Sequence, residues 1–142
     1  MKAKILVTFA IISVLLVTTG IFIKNQFEAP WKEANDHAMR VTRNATVDGV
    51  IENLYSEGYI RNKTAFKLAL RLTTDNNNEN ADNSLLIGNN TVQTEAVYIV
   101  SKDMSAWKVA DSLLNHPTSF DCNHGCPEGI FWENLPPQLN EK

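Results

Sequence analysis

Cysteine is nearly absent from this sequence: there are two in 142 residues, Cys122 and Cys126, both close to the C-terminus. With His124 between them they offer three metal ligands, whereas a structural zinc site takes four, usually from two pairs, and no second pair exists. No metal site is expected. The two thiols read as a disulfide across a tight loop or as a pair of free thiols. A basic stripe is also missing. The formal net charge is −3, and past residue 23 there are 11 basic and 16 acidic residues, a balance that argues against nucleic acid as a partner. No motif calls for a cofactor.

Charge itself is missing from one stretch. Residues 5–23, ILVTFAIISVLLVTTGIFI, run for 19 positions without a charged side chain. As a helix they would extend about 28 Å, close to the hydrocarbon thickness of a bilayer. A cleaved signal peptide would have a shorter apolar core and small residues at its cleavage site. Here Lys24-Asn25-Gln26-Phe27 follows directly, and no cysteine offers a lipid attachment point. The expectation is a retained single-pass anchor over residues 1–29, with the membrane as partner through residues 5–23. Basic residues flank the run on both sides, so charge alone does not set its orientation.

Past the apolar run, residues 39–44 (MRVTRN) alternate weakly, as a strand would. Residues 46–57 place Val47, Val50, Ile51, Leu54 and Tyr55 on one helical face. Asn44 or Thr46 can cap the start of that helix, and Gly58 can end it. Asn62 is a good cap for a second helix, KTAFKLALRLT, with Ala65, Leu68, Ala69 and Leu72 as its stripe and Phe66 and Leu70 beside it. Residues 74–84 hold five asparagines and no bulky apolar side chain, which reads as a solvated surface loop. Ala96 to Val100 is a continuous apolar run rich in β-branched and aromatic residues, a buried strand. Asp103 or Ser105 then caps a third helix over AWKVADSLLN, stopped by His116-Pro117. Tyr98 and Trp107 read as core residues. The order strand, helix, helix, strand, helix gives a small α+β domain.

Two stretches, ATVDGVIENLYSEGYIRNKTAFKLALRL (45–72) and EAVYIVSKDMSAWKVADSLLNHP (95–117), resemble the N-terminal region of the endolytic murein transglycosylases, also called YceG-like proteins. The likeness is carried by Gly58, Ile60, Phe66, Tyr98 and the Ser101-to-Trp107 helix start, and it extends over roughly residues 5–135. It implies a membrane anchor followed by a LysM-like domain over residues 30–117. Residues 118–142 would be a tail in which Pro127-Glu128-Gly129 resembles the entrance to a catalytic domain. One departure lies before the Tyr strand, where the family has Gly and this chain has Glu95-Ala96-Val97-Tyr98.

A lytic transglycosylase needs a carboxylic acid of raised pKa that protonates the glycosidic oxygen. The family's catalytic glutamate lies in an Ala-Ser-Ile-x-x-x-Glu type segment that nothing here matches, and Glu128 reads as a turn residue. No catalytic residue is therefore assigned, and the expected protein lacks the family's activity. The LysM-like part would bind N-acetylglucosamine-containing glycan in a shallow groove between the loop after the first strand and the loop before the second. This places candidate glycan contacts at Arg43, Asn44, Thr46, Asn89 and Asn90. The resulting expectation is a single-pass plasma-membrane protein whose domain lies outside the cytoplasm, near peptidoglycan strands and cell-wall synthesis proteins. Two alternatives stand beside it: a piece of a complete lytic transglycosylase, and a structural envelope or division protein that binds a protein partner.

Overall fold

The computed structural model describes residues 2–76, 84–118 and 131–132. Its elements in chain order are α1 (Lys2–Phe27), β1 (Asp36–Val41), α2 (Val47–Ser56), α3 (Lys63–Leu72), β2 (Ser84–Ile87), β3 (Asn90–Gln93), β4 (Ala96–Ser101), α4 (Ala106–Asn115) and β5 (Phe131–Trp132). Side chains of α1 are described at Phe9 and from Ile11 onward.

Each of the three domain helices starts at a short polar side chain that accepts an otherwise orphaned amide. Thr46 accepts from the Gly49 N–H, Asn62 from Ala65, and Ser105 from Lys108. Between the alternatives open in the sequence, Thr46 and Ser105 are the caps. Gly58, at φ +78°, takes the left-handed conformation just past α2, where a Cβ would be strained.

β1 and β4 pair antiparallel over their full lengths, Asp36 opposite Ser101 and Val41 opposite Ala96, and β5 adds to the other side of β1 through Ala38–Trp132 and Met39–Phe131. Side chains alternate across a strand. Met39, Val41, Tyr98 and Val100 therefore share one face, and that face packs into a single core with α2, α3 and α4. Val50, Ile51 and Leu54 enter it from α2, and Val109, Ala110, Leu113 and Leu114 from α4. Tyr98 and Phe66 are the largest side chains wholly buried.

α3 sits rotated from its expected stripe. Ala65, Phe66, Ala69 and Leu70 face the core, while Leu68 and Leu72 are 46% and 64% exposed. Burying Phe66 removes more apolar area from water than burying either leucine, so the helix turns its aromatic side inward.

Two expectations of the sequence are corrected. The first is the transmembrane helix over 5–23: among the described residues, no helix is long and apolar enough to cross a membrane. The uncharged run of α1 ends at Ile23. The helix then continues through Lys24, Asn25 and Gln26 to Phe27 and docks on the domain. Phe27 stacks on Trp107 at 5.1 Å between ring centroids. The Asn25 side-chain oxygen accepts from Arg61 at 2.8 Å, and Gln26 accepts from the Asn62 amide at 3.2 Å.

The second correction is to the LysM-like order of two strands and three helices. A second sheet, the hairpin of β2 and β3, stands between α3 and β4, and β5 widens the first sheet to three strands. Gly88-Asn89 forms the two-residue turn of the hairpin between the paired Ile87 and Asn90, with Gly88 at φ +68° as a type II′ turn requires at that position. The start of the expected Asn-rich loop is tied to this hairpin: the Asp75 carboxylate accepts both the main-chain N–H and the hydroxyl of Thr91, at 2.7 and 3.0 Å.

Candidate functional site

The turn from β1 into α2 forms a cleft of about 210 Å³. Its apolar side is Met39, Val41, Ala45 and Val50; its rim carries Arg40, Thr42, Asn44, Thr46 and Asn53. The Ala45 N–H donates to the Thr42 carbonyl at 3.0 Å, which closes a tight turn and puts Arg43 and Asn44 at its tip. Both tip residues are exposed. Among the described residues, the Asn44 and Asn53 side-chain amides make no protein hydrogen bond. They are open donor–acceptor pairs beside an apolar floor.

A second segment braces this turn. Glu95 holds φ +59°, the left-handed region in which a side chain other than glycine is strained. Its carboxylate accepts the Arg43 main-chain N–H at 2.6 Å and the Arg40 guanidinium at 2.9 Å. These two bonds, the Arg43 amide first, hold the Glu95 carboxyl below the usual carboxylate range. Glu95 stands in the segment where the sequence departs from the glycine of the resembled family. The left-handed turn is made here without glycine, with the side chain tied to β1.

The candidate glycan residues separate into two groups. Arg43, Asn44 and Thr46 lie together on the β1–α2 turn, although the Thr46 hydroxyl is already engaged in capping α2. Asn89 and Asn90 lie at the far end of β3, whose four residues separate them from Glu95 by roughly 15–20 Å of extended chain. Asn89 is exposed in the hairpin turn. Asn90 is 8% exposed, and its side-chain amide donates to the carbonyls of Leu70 and Thr73 at 2.6 and 2.7 Å. That amide satisfies carbonyls left over at the end of α3, a structural duty that occupies its donors. Cys122 and Cys126, along with Glu128, lie outside the described residues.

Sequence reasoning missed Arg40, Thr42 and Asn53. Arg40 is at a strand end and Asn53 seven residues into α2. Asn53 follows Thr46 by two helical turns, the one signal that could have placed it on the same face as the cap.

The remaining residues singled out in the sequence have local roles. Tyr98 is wholly buried and its hydroxyl donates to the Gln93 carbonyl at 2.8 Å. Trp107 is 40% exposed and serves as the platform for Phe27. His37 meets the Tyr59 hydroxyl, and His116 lies 3.5 Å from Asp111. Among the described residues, no group of three or more His, Cys, Asp or Glu side chains could hold a metal ion.

No protein-family model matches this chain, and no curated protein or solved structure is detectably similar to it. What is established is structural: a small α+β domain with two antiparallel sheets and a polar-rimmed cleft at the β1–α2 turn.

Proposed function

We propose that this protein is a cell-envelope module that binds the N-acetylated glycan of peptidoglycan through the cleft between β1 and α2. The observation that carries this reading is the pairing of an apolar floor (Met39, Val41, Ala45, Val50) with two open side-chain amides (Asn44, Asn53) in one small cleft. An N-acetylhexosamine presents a methyl and an amide carbonyl side by side. The methyl favours the apolar floor, and the amide group finds donors and acceptors on Asn44 and Asn53. The small volume suits one sugar residue rather than a larger ligand. The resemblance of residues 45–72 and 95–117 to the N-terminal part of endolytic murein transglycosylases supports the same ligand class and a location outside the cytoplasm.

The test is titration of the intact chain with chitotriose and with purified peptidoglycan glycan strands, followed by amide chemical shifts. Saturable shifts at Asn44, Thr46 and Asn53 support the reading, and Asn44→Ala with Asn53→Ala should weaken binding about tenfold or more by removing two hydrogen bonds. Equal binding by glucose oligomers, which lack the acetamido group, would sink it.

A further inference from the structure

A second cleft, of about 380 Å³, runs along the outer side of β4 beneath α4. Its position follows from the sheet. The Val97 N–H and C=O both bond to Thr118, at 3.1 and 2.8 Å, so Val97 turns its main-chain groups away from β1. In an antiparallel ladder this alternates, so Ile99 also turns its main chain outward. The Ile99 carbonyl there accepts the Ser112 hydroxyl of α4 at 2.7 Å. The Ile99 N–H points to the same side, where Ile99, Met104, Ser112 and Thr118 line the cleft.

Charge around this cleft is of two kinds. Asp111 and His116 form one group: one Asp111 oxygen accepts the Asn115 amide at 2.7 Å, and the other lies 3.5 Å from His116 Nε2. Asp36 and Lys108 line the same cleft, are both exposed, and make no ion pair among the described residues. Elsewhere on the domain, Arg40 with Glu95, Lys63 with Glu52, and Lys67 with Asp48 close on each other at 2.9, 2.5 and 2.8 Å. Asp36 and Lys108 thus leave one carboxylate and one ammonium apart around an apolar floor that also offers an outward-facing strand amide.

We infer that this cleft binds a short extended peptide with free termini, its ammonium at Asp36, its carboxylate at Lys108 and its main chain against the Ile99 amide. A strand edge supplies directional bonds to any peptide backbone, and the two charges select for termini and set direction. The inference does not depend on the glycan reading, because the two clefts share no lining residue.

The experiment titrates the full chain with trialanine, N-acetyl-trialanine and trialanine amide, read by amide shifts. Trialanine should shift Ile99, Thr118 and the first turn of α4 saturably. Acetylation or amidation should each weaken binding about three- to fivefold, the worth of one exposed ion pair. Asp36→Asn should abolish the effect of acetylation alone, and Lys108→Gln that of amidation alone; both side chains are exposed, so neither change touches the core. Shifts confined to the β1–α2 cleft, no saturable shift up to millimolar peptide, or indifference to capping would overturn the inference.

Discussion

Glu95 and Arg43 are joined across the end of the main sheet by a 2.6 Å hydrogen bond from the Arg43 main-chain N–H to the Glu95 carboxylate. The contact links the β3–β4 connection to the turn that forms the candidate glycan cleft. It also helps hold a residue other than glycine at φ +59°, together with the Glu95 main-chain N–H, which donates to the Val41 carbonyl at 2.7 Å.

This link should depend on pH. The carboxyl of Glu95 is held below its ordinary value of 4.5 by the Arg43 amide and then by Arg40, and that of Asp48 is likewise held below 3.8 by Lys67. A carboxyl depressed in the folded state contributes stability that is fully present above its unfolded value. That contribution is lost as pH falls through the folded value. Denaturant midpoints of the parent and Glu95→Gln should therefore differ at pH 7 and converge as pH drops below about 4.5, the ordinary value. A gap unchanged between pH 7 and pH 3 would show that the carboxylate charge does not hold the turn.

Asn90 separates a structural asparagine from a binding one. Asn90→Ala removes one buried and one part-buried hydrogen bond and leaves the Leu70 and Thr73 carbonyls without that partner. The expected cost is about 2–3 kcal/mol, seen as a lower urea midpoint with an unchanged slope. Glycan affinity, measured where the variant remains folded, should be unchanged. A stable variant with lost glycan binding would put Asn90 back among the contacts.

Arg61 fixes the direction in which α1 leaves the domain. Its guanidinium donates to the Ala29 carbonyl at 3.0 Å, the Asn25 side chain at 2.8 Å and the Pro30 carbonyl at 3.4 Å. These three bonds are exposed, so Arg61→Ala should change global stability by less than about 1 kcal/mol. The connection between α1 and β1 should instead open locally, and cleavage within residues 28–35 by a broad-specificity protease should quicken severalfold. Unchanged cleavage would mean that the Phe27–Trp107 stack and the Asn62–Gln26 bond hold the helix end without Arg61.

The parts of the fold legible in the sequence were those written in local pattern. The caps Thr46, Asn62 and Ser105 and the 3.6-residue spacing place α2, α3 and α4 to within a residue or two, and the apolar run 96–100 marks β4. Local pattern does not choose between neighbouring faces of one helix, however, and α3 turned Phe66 and Leu70 inward at the expense of Leu68 and Leu72. The hairpin was missed despite its signal, Gly88-Asn89 between Leu85-Leu86-Ile87 and Thr91-Val92, because asparagine dominates the neighbouring sequence and reads as loop. Half of the candidate site was legible, since Asn44 and Thr46 sit where a strand meets a helix. Asn53 and Arg40 were missed although they lie in the same 39–53 stretch, because the angle at which β1 meets α2 brings them to the cleft. Asn90 was misread because its partners, Leu70 and Thr73, lie 20 and 17 residues away.

Tyr98 gives the last prediction, in the alkaline range. Burial, offset in part by the bond to the Gln93 carbonyl, pushes its hydroxyl well above the ordinary value of 10.0. Above pH 10 the unfolded chain releases this proton while the folded chain keeps it. The folded state then binds more protons than the unfolded one, so stability falls as pH rises. Tyr98→Phe removes that term and costs about 1 kcal/mol at neutral pH through the lost hydroxyl bond. Between pH 8 and pH 11 the parent should therefore lose stability faster than Tyr98→Phe, and their denaturant midpoints should approach or cross. Parallel curves over that range would place the Tyr98 hydroxyl in contact with solvent.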